Sequence, residues 1–580
     1  MLEFTHLRKN VKKDFTGFTA IRVALLSDSS SQLLHQALKG HGYDKKLNYD
    51  IYEADYNQVE QEVINPLSGL YAFAPEVVVI AKSTQELLSQ FYSVPADKRI
   101  AFAQETFQRI QQLISTIKES LSAKIIVFNF QETDDKVFGN YANKLSHSFL
   151  YQVRKLNLLL MEEAQVQNAL FICDVQQLTM QVGLGTAVDS KNLVTANQTW
   201  SLHFLPVIAK NISAIIEAIY GCFKKCLILD LDNTVWGGVI GDDGLEGIQV
   251  GTLGIGKAFT QLQKWVKELR RRGIIICVCS KNTESIAKEV FEKHPEMVLR
   301  LDDIAVFAVN WDNKVDNIHF IKATLNIGFD SMVFIDDSPF ERAMVKEAIP
   351  ALEVPHLPED PVDYLPYLQS LNLFETASYA AEDEQRTQLY KQEAERTSHQ
   401  QVYQNEEEFL ASLEMEAEIS LLNAFTIPRA AQLSQRSNQF NLRTVRYTEQ
   451  DLEQIAASPD YHAFTVKLKD KFGDNGIISL VVLKRIAAST LFIESWLMSC
   501  RVLKRGVENL ALNAIASIAA TNNCTLIMGE YMPTPKNTLV QDHYKKLLFE
   551  QQDALWTLAV PSYIEKKVFI KIKQLQAEPV

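Results

Sequence analysis

The sequence predicts a multidomain protein of the α/β class, from its length and from two patterns along the chain. With 580 residues, the chain exceeds what one hydrophobic core supports, so about three or four domains are expected. Short β-rich runs alternate with stretches of helical periodicity, which indicates parallel sheets covered by helices on both faces. Several of these runs end in a polar residue, and α/β folds bind their ligands at that edge of the sheet.

The first domain is predicted over residues 1–215. Its helices lie at 101–122 and 146–166, and its strands are four apolar runs at 21–28, 75–81, 124–130 and 169–175. The segment IRVALLSDSSSQLL resembles the start of SGNH-type esterases, with Ser29 after Asp28. Because no D-x-x-H motif follows and His203 is isolated, a polar turn is the preferred interpretation. The hypothesis for this domain is an SGNH-like or flavodoxin-like fold with a docking or dimerisation role.

Two further domains are predicted, over residues 220–372 and 409–580. The strands of the second domain lie at 224–232, 273–280, 304–310 and 331–337. The third mixes β-rich runs with helices at 506–521 and 540–549. Residues 373–408 between them are acidic and poor in apolar residues, which predicts an exposed connecting helix.

Composition and charge exclude several classes of function. The net charge of -13 argues against a protein that binds nucleic acid or an anionic membrane, since both need a basic face. No apolar run is long enough to cross a bilayer, and no secretory signal is recognised. The cysteines are seven and scattered, which predicts free thiols in a reducing compartment. We therefore expect a cytoplasmic protein.

The strongest local signal is DLDNT (230–234), directly after an apolar strand. A carboxylate such as Asp230 can attack phosphorus beside Mg²⁺, because the cation offsets charge repulsion and fixes the in-line geometry. Asp232 can then protonate the leaving group and activate water. Alone, the pattern is short enough to be a solvated acidic turn.

Three further motifs favour the chemical interpretation. Ser280 ends the second strand of this domain and can hydrogen-bond a phosphoryl oxygen. Lys314 follows the third strand and can neutralise the charge of a pentacoordinate phosphorus. Asp336 and Asp337 close the fourth strand and can complete an oxygen-rich magnesium shell.

This order of motifs resembles the four motifs of the haloacid-dehalogenase (HAD) superfamily. The resemblance implies that Asp230 is the nucleophile, Asp232 the general acid/base, and Ser280 and Lys314 the contacts of the phosphoryl group. The implied ligands of Mg²⁺ are Asp230, Asp232 through its backbone carbonyl, Asp336 and Asp337. Thr234 is expected to stiffen its own loop. The short segment 235–251 predicts a flap in place of a large cap domain, which leaves the site open to a bulky partner.

A narrower resemblance covers roughly residues 220–550. The sequence segments that carry this resemblance in the second domain are LDLDNTVWGGVIGDDGLEGIQVG, VCSKN, FAVNWDNK and FIDDSPFERAMV. In the third domain they are QLSQRSNQFNLRTVRYT, KDKFGDNGII, ESWLMSCRVLKRGVE and EYMPTPKN. They resemble the FkbH-like proteins, the glyceryl-loading enzymes of polyketide biosynthesis. The resemblance implies dephosphorylation of 1,3-bisphosphoglycerate and transfer of its glyceryl group to the phosphopantetheine thiol of an acyl carrier protein.

An enzyme thiol could hold the acyl group between the two events, and Cys500 is the candidate. It lies between an apolar strand and RVLKRGVE, an arrangement that resembles the acyl-CoA site of GNAT acyltransferases and implies a GNAT-like α+β fold for residues 409–580. The implied pantetheine-binding residues are Arg501, Lys504, Arg505 and Gly506. A buried cysteine that packs as a small apolar group is the alternative, and Lys504 departs from the glycine usual in such a loop. Cys279 and Cys277 are rivals, although strand alternation points both into the core.

Two other functions stay open. One is a stand-alone HAD phosphatase acting on a sugar or a cell-surface precursor. The other is a scaffold without catalysis that docks a carrier protein, which the four intact motifs disfavour. The acyl unit, glyceryl or lactyl, is not determined by the sequence, because small pockets discriminate weakly between near-isosteres.

Overall fold

The computed structural model describes residues 3–133, 135–379, 383–384, 386–400, 403, 405–534 and 536–573. The chain forms two compact units, Met1–Ala218 and Ile219–Val580. The second unit contains both the second and the third predicted domains. None of the helices in the described part of the chain is long and apolar enough to cross a membrane.

The first unit contains a five-stranded parallel sheet in the order β2-β1-β3-β4-β5. Its strands are β1 (Thr19–Ser27), β2 (Leu47–Glu53), β3 (Val77–Ala81), β4 (Lys124–Phe128) and β5 (Leu170–Cys173). Its helices are α1 (Phe4–Asn10), α2 (Gln32–Asp44), α3 (Val59–Ile64), α4 (Gly69–Phe73), α5 (Thr84–Ser93), α6 (Phe102–Ser120), α7 (Phe149–Val166), α8 (Val175–Val182), α9 (Leu184–Ala187), α10 (Ser190–Ala196) and α11 (Leu205–Ile219).

Ser29 lies just beyond β1 and is 5% exposed. Its N–H donates to the Ser27 hydroxyl at 3.1 Å, and the two hydroxyls are 3.3 Å apart. No histidine among the described residues is hydrogen-bonded to Ser29. These contacts are those of a polar turn between a strand and a helix, and the SGNH-like fold stays a prediction.

The second domain is built on a four-stranded parallel sheet in the order β8-β7-β6-β9. Its strands are β6 (Cys226–Leu229), β7 (Ile275–Lys281), β8 (Ile304–Asn310) and β9 (Met332–Ile335). Its helices are α12 (Ile240–Gly247), α13 (Gly256–Arg271), α14 (Glu284–Lys293), α15 (Lys314–Leu325), α16 (Pro339–Ala348) and α17 (Tyr364–Leu371). Because strand residues alternate between faces, Leu227 and Leu229 join one core while Cys226 and Ile228 join the other.

The third domain contains a mixed nine-stranded sheet, in the order β16-β17-β15-β14-β13-β12-β10-β18, with β11 paired to β14. Its strands are β10 (Met415–Leu421), β11 (Phe440–Asn441), β12 (Tyr461–Asp470), β13 (Gly473–Ala487), β14 (Thr490–Met498), β15 (Leu526–Glu530), β16 (Glu550–Gln552), β17 (Leu555–Ala559) and β18 (Ile570–Lys573). The helix α18 (Arg386–Gln400) precedes this domain. The helices of the domain are α19 (Glu406–Ser412), α20 (Ile427–Arg436), α21 (Glu449–Ala457), α22 (Val507–Thr521) and α23 (His543–Lys546).

The prediction of an exposed connecting helix at 373–408 is wrong for the part that forms α18. Tyr390 is 6% exposed and packs on the core beneath β6 and β9, and Thr387 is fully buried. Arg396 is 2% exposed, and its Nε lies 2.7 Å from Asp470 Oδ2 of β12. A few buried side chains are enough to fix this helix between two domains. The average polarity of the stretch does not reveal them, because most of its other residues are polar. Residues 380–382, 385, 401, 402 and 404 of the acidic stretch lie outside the described residues.

Candidate active site

The predicted metal site lies at the carboxyl edge of the second domain's sheet. Asp230 directly follows β6, and Asp336 and Asp337 directly follow its neighbour β9. Parallel pairing of the two strands brings these carboxylates together, with one oxygen of each within 4.8 Å of the others. Three carboxylate oxygens in one place fit a hard divalent cation such as Mg²⁺, which takes oxygen ligands. Asp230 and Asp336 are 5% and 0% exposed, so their charges need a cation for balance.

Lys314 provides one positive charge inside this cluster. Its Nζ lies 3.0 Å from Asp230 Oδ1 and 2.6 Å from Asp336 Oδ2, and its side chain is 5% exposed. Lys314 is the first residue of α15, and the Asn313 side chain caps that helix by accepting from the Val315 N–H at 2.9 Å. Burial opposes protonation of the ammonium, yet the two carboxylates outweigh it and raise the pKa of Lys314.

The three carboxyl groups of the cluster have raised pKa values, chiefly because they are buried. Burial, together with the nearby Asp230 charge, raises the pKa of Asp336 to about 6, although Lys314 acts against it. Burial also raises the pKa of Asp230, while Lys314 and the Ser280 hydroxyl favour its charged form. Asp337 has a pKa raised by burial and by Asp336. Perturbed carboxyl groups gathered at one sheet edge are typical of a catalytic or metal site.

Ser280 and Asp232 lie at the same edge but differ in orientation. Ser280 is the last residue but one of β7 and is 2% exposed, and its hydroxyl favours the charged form of Asp230, as described above. The Asp232 carboxylate is not part of the three-carboxylate cluster and instead accepts three hydrogen bonds. They come from Trp236 Nε1 at 2.9 Å, Ile240 N at 3.1 Å and Asn282 Nδ2 at 2.9 Å. Burial raises the pKa of Asp232, and the Ile240 N–H opposes that shift.

Two polar residues fix the loop that follows β9. The Thr234 hydroxyl accepts from the Asp337 N–H at 3.1 Å, so it joins two loops of the site and does not stiffen its own loop as expected. Arg342 on α16 is 6% exposed and donates to the carbonyls of Asp336 and Asp337 at 2.7 and 2.6 Å. Sequence reasoning missed Arg342 and Asn282, although FERAMV and VCSKN contain them. The available signal for Arg342 was its position, one turn into the helix that follows the acidic pair.

The segment 235–251 forms a small flap, as predicted from its length. Its ends pair through Gly237 and Gln249, whose N–H and carbonyl groups exchange bonds of 3.0 and 2.8 Å. The short helix α12 lies between these ends and changes direction at Gly244, which has a φ of 67°. The flap backbone contributes to the site through the Ile240 N–H described above.

Cys500 lies at the opposite edge of the sheet. The Asn326 side chain, just past the end of α15, donates to the Cys500 carbonyl at 3.0 Å. Lys314 begins that helix at the carboxylate cluster, and 12 helical residues span about 18 Å. The Cys500 thiol packs against the buried core and lies 3.9 Å from the Tyr390 hydroxyl. The structure therefore does not bring Cys500 to Asp230. Cys277 and Cys279 are fully buried, as strand alternation predicts.

The four residues predicted to hold a pantetheine arm are largely engaged within the protein. Arg501 is 8% exposed, and its Nε donates to the Ser499 hydroxyl at 3.3 Å. Arg505 is 5% exposed and pairs with Asp470 at 3.2 Å and with Glu393. The Arg505 guanidinium serves the junction with α18, and its ion pairs argue against a phosphate-binding role.

The amino end of α22 is occupied by a carboxylate of its own. Lys504 and Gly506 have positive φ angles of 62° and 80°, so the loop turns its N–H groups inward. The Glu508 carboxylate accepts from the Lys504 N–H at 3.3 Å. Burial raises the pKa of Glu508, while the N–H groups of Glu508, Lys504 and Gly506 favour its charged form. An anion from outside would have to displace Glu508.

The neighbouring strand edge is also occupied. β14 pairs with β15 only as far as Ile493 and Gly529. Beyond that point, β11 takes the same edge through Phe440–Met498 and Asn441–Leu497.

Comparison with known proteins agrees with the central assignment. Residues 22–217 match the model of the FkbH N-terminal domain. The crystal structure of the N-terminal part of BF1531 from Bacteroides fragilis, containing a phosphatase domain and complexed with Mg, is 50% identical with a TM-score of 0.63. The match covers 65% of this chain and all of that structure. None of the curated proteins matches the chain.

Acetyltransferases also match, at much lower similarity. The ribosomal-protein-S18-alanine N-acetyltransferase of Escherichia coli is 13% identical with a TM-score of 0.20, over 25% of this chain and 94% of its own. The Vibrio cholerae spermidine N-acetyltransferase in complex with CoA and spermine is 13% identical with a TM-score of 0.21, and the match covers 25% of this chain and 96% of that structure. These values assign nothing to the third domain, and its GNAT-like character stays a prediction. The matched N-terminal domain and the half-identical relative, covered over its whole length, place this chain in the FkbH family.

Proposed function

We propose that the second domain is a Mg²⁺-dependent phosphatase of the HAD type, which acts on a phosphorylated three-carbon acyl donor such as 1,3-bisphosphoglycerate. The observation that carries the phosphoryl chemistry is the buried group of Asp230, Asp336, Asp337 and Lys314 at one sheet edge. The Mg-bound relative with a phosphatase domain supports the same metal and the same reaction type.

The chemistry follows from the positions of the side chains. Asp230, Asp336 and Asp337 would hold the cation, which screens the charge between a carboxylate nucleophile and a phosphate. An Asp230 oxygen attacks phosphorus, the bond from phosphorus to the leaving oxygen breaks, and Asp232 gives that oxygen a proton. Asp232 then takes a proton from water, whose oxygen attacks phosphorus and releases phosphate from Asp230. Lys314 and Ser280 bind the phosphoryl oxygens as charge develops on them.

The finer part of the proposal is transfer of the glyceryl group to an acyl carrier protein, and family membership supports it. An acyl phosphate reacts with a thiolate at its carbonyl carbon, and the bond to the phosphate oxygen breaks as the thioester forms. The phosphate ester at the other end of the donor is the group that Asp230 and Asp232 hydrolyse, which leaves an unphosphorylated glyceryl unit. Because Cys500 lies at the far edge and Cys277 and Cys279 are buried, the thiol for this step comes from the carrier's phosphopantetheine arm. The small flap suits an arm that enters from solvent.

A second function is favoured by the same placement of Cys500. A stand-alone phosphatase, acting on a sugar or a cell-surface precursor, needs no acyl acceptor and no pantetheine site. The occupied amino end of α22 fits that function equally well. A scaffold without catalysis is disfavoured, because it has no use for buried carboxylates that fit a cation.

Intact-protein mass spectrometry distinguishes these functions. Enzyme, Mg²⁺, freshly generated 1,3-bisphosphoglycerate and a phosphopantetheinylated carrier protein are incubated together. A glyceryl mass on the carrier, which Asp230→Asn reduces and Cys500→Ala leaves unchanged, supports transfer to the carrier thiol. Cys222→Ala is the matched control, since Cys222 is exposed. Phosphate release without an acylated carrier leaves the stand-alone phosphatase, and a glyceryl adduct on the enzyme that Cys500→Ala abolishes refutes the direct transfer.

A further inference from the structure

We propose that Asn282 and Trp236 are positioning residues, which hold the Asp232 carboxylate in the orientation needed to transfer a proton. The inference rests on the proposed phosphatase chemistry and goes beyond it, since neither residue belongs to the four motifs. Its basis is the set of contacts around a carboxylate that the metal cluster does not use.

Both oxygens of Asp232 are held, and by donors from different parts of the domain. Oδ1 accepts from Trp236 Nε1 at 2.9 Å and from the flap N–H of Ile240 at 3.1 Å. Oδ2 accepts from Asn282 Nδ2 at 2.9 Å. A carboxylate bonded on both oxygens cannot rotate about its terminal bond without losing a hydrogen bond. Its direction is therefore fixed before a substrate arrives.

The donors are themselves rigid. Trp236 is fully buried and packs edge-on against Phe291, with ring centroids 5.9 Å apart. Asn282 is 5% exposed, and its side-chain oxygen accepts from the Thr283 N–H at 3.0 Å. That bond at its oxygen directs the amide nitrogen toward Asp232. Two buried donors of fixed orientation are the kind of support that keeps a catalytic group within reach of its proton.

Among the residues that the structure describes, Asp232 is the acceptor that the Trp236 indole and the Asn282 amide nitrogen share, and neither donates to another side chain. A buried indole N–H needs an acceptor, and Trp236 finds it in Asp232 although an apolar aromatic residue would fill the same core. Asn282 lies two residues after Ser280, so the turn that ends β7 brings a phosphate contact and the support of the proton donor to one place. The sequence SKN therefore combines two functions in three residues.

The test separates the two chemical steps by the choice of leaving group. Nitrophenolate leaves without a proton, so formation of the phosphorylated enzyme from p-nitrophenyl phosphate does not need Asp232. Hydrolysis of that intermediate does need it, because water must lose a proton. Rapid-quench measurements with Mg²⁺ compare wild type, Trp236→Phe and Asn282→Leu. Trp265→Phe is the matched control, in a tryptophan that packs near Phe374 at the periphery of the same core.

We expect both variants to form the phosphorylated enzyme at the wild-type rate and to hydrolyse it roughly 10- to 100-fold more slowly, a part of the usual acid–base contribution. The intermediate accumulates, and kcat and KM fall together. With an alkyl phosphate, whose leaving oxygen needs a proton, the first step slows as well. Trp265→Phe behaves as wild type.

Two results overturn the inference. One is hydrolysis of the intermediate within twofold of wild type in both variants. The other is a smaller burst with unchanged rate constants, which indicates partial unfolding and a merely structural role. If wild type forms no phosphorylated enzyme with either ester, the phosphatase proposal fails, and this inference fails with it.

Discussion

Lys314→Met tests the electrostatic balance of the candidate site. The ammonium lies 3.0 and 2.6 Å from two buried carboxylates. At an effective dielectric constant of 20, these distances correspond to attractions of about 5 and 6 kcal/mol, and burial of the three charges offsets most of that. Removing one member of a buried ion pair nevertheless costs about 3–5 kcal/mol, because the remaining charge is left uncompensated. We expect the metal-free variant to unfold about 5–10 °C below wild type.

Mg²⁺ is expected to reverse much of that loss. A divalent cation supplies the positive charge that the variant lacks, so it stabilises Lys314→Met more than wild type. A ligand at 100 times its Kd contributes about 2.7 kcal/mol. Thermal unfolding with and without Mg²⁺ is measured at a pH well above 6, where Asp336 is charged. Lys281→Met is the control, since the Lys281 side chain is 36% exposed and its pair with Glu341 is worth at most about 1 kcal/mol. The reasoning is refuted if Lys314→Met unfolds at the wild-type temperature in EDTA, or if Mg²⁺ stabilises both proteins equally.

Three further predictions concern the third domain. His543 lies between the rings of Phe440 and Trp496, and burial lowers its pKa to about 3, so the unfolded chain binds a proton that the folded chain rejects. The free energy of unfolding that neutral His543 contributes is lost as the pH falls from about 6.5 toward 3, by at most about 1.4 kcal/mol per pH unit. The prediction is contradicted if the free energies of unfolding of wild type and His543→Gln change with pH in parallel. Glu508→Ala removes the carboxylate at the start of α22 and should lower the free energy of unfolding by about 0.5–2 kcal/mol. Because Glu508 occupies this position, CoA should not change the unfolding temperature of wild type. A clear increase with CoA would show that the amino end of α22 is open to a ligand. Cys500→Ala should keep phosphatase activity within about twofold of wild type, since the Cys500 backbone contacts the far end of α15, a helix about 18 Å long that begins at the site. A loss on the scale of Asp230→Asn would return Cys500 to the chemistry.

Much of the site could be predicted from sequence because parallel strands bring their ends to one edge. Asp230, Ser280, Lys314 and Asp336 each end or follow a strand of strong apolar character, and the structure gathers them within hydrogen-bonding or ion-pairing reach. The strand β2 was not predicted. Its LNYDIYE run alternates polar and apolar residues, as a strand at a sheet edge does, but it lacks the continuous apolar character of the other four strands.

The predictions that the structure contradicts, for the connecting helix and for the pantetheine site, have a common physical origin. Arg396 lies in the stretch predicted to be an exposed helix, and Arg505 was predicted to bind pantetheine, yet both pair with Asp470 inside the junction between α18 and β12. A charged residue next to a cysteine or a glycine resembles a phosphate-binding residue in sequence, because the partner that neutralises it is distant along the chain. Glu508 was overlooked for the same reason, since only the fold shows a side chain returning to the N–H groups of its own helix.

Chemical trapping of the phosphorylated enzyme tests the central claim most directly. Wild type, Asp230→Asn and Asp232→Asn are mixed with p-nitrophenyl phosphate and Mg²⁺, quenched in acid and mapped by peptide mass spectrometry. The account predicts one phosphoryl group on Asp230, more abundant in Asp232→Asn because hydrolysis is slowed, and none in Asp230→Asn or without Mg²⁺. Phosphate release by wild type with no phosphorylated Asp230, even in Asp232→Asn, would contradict it.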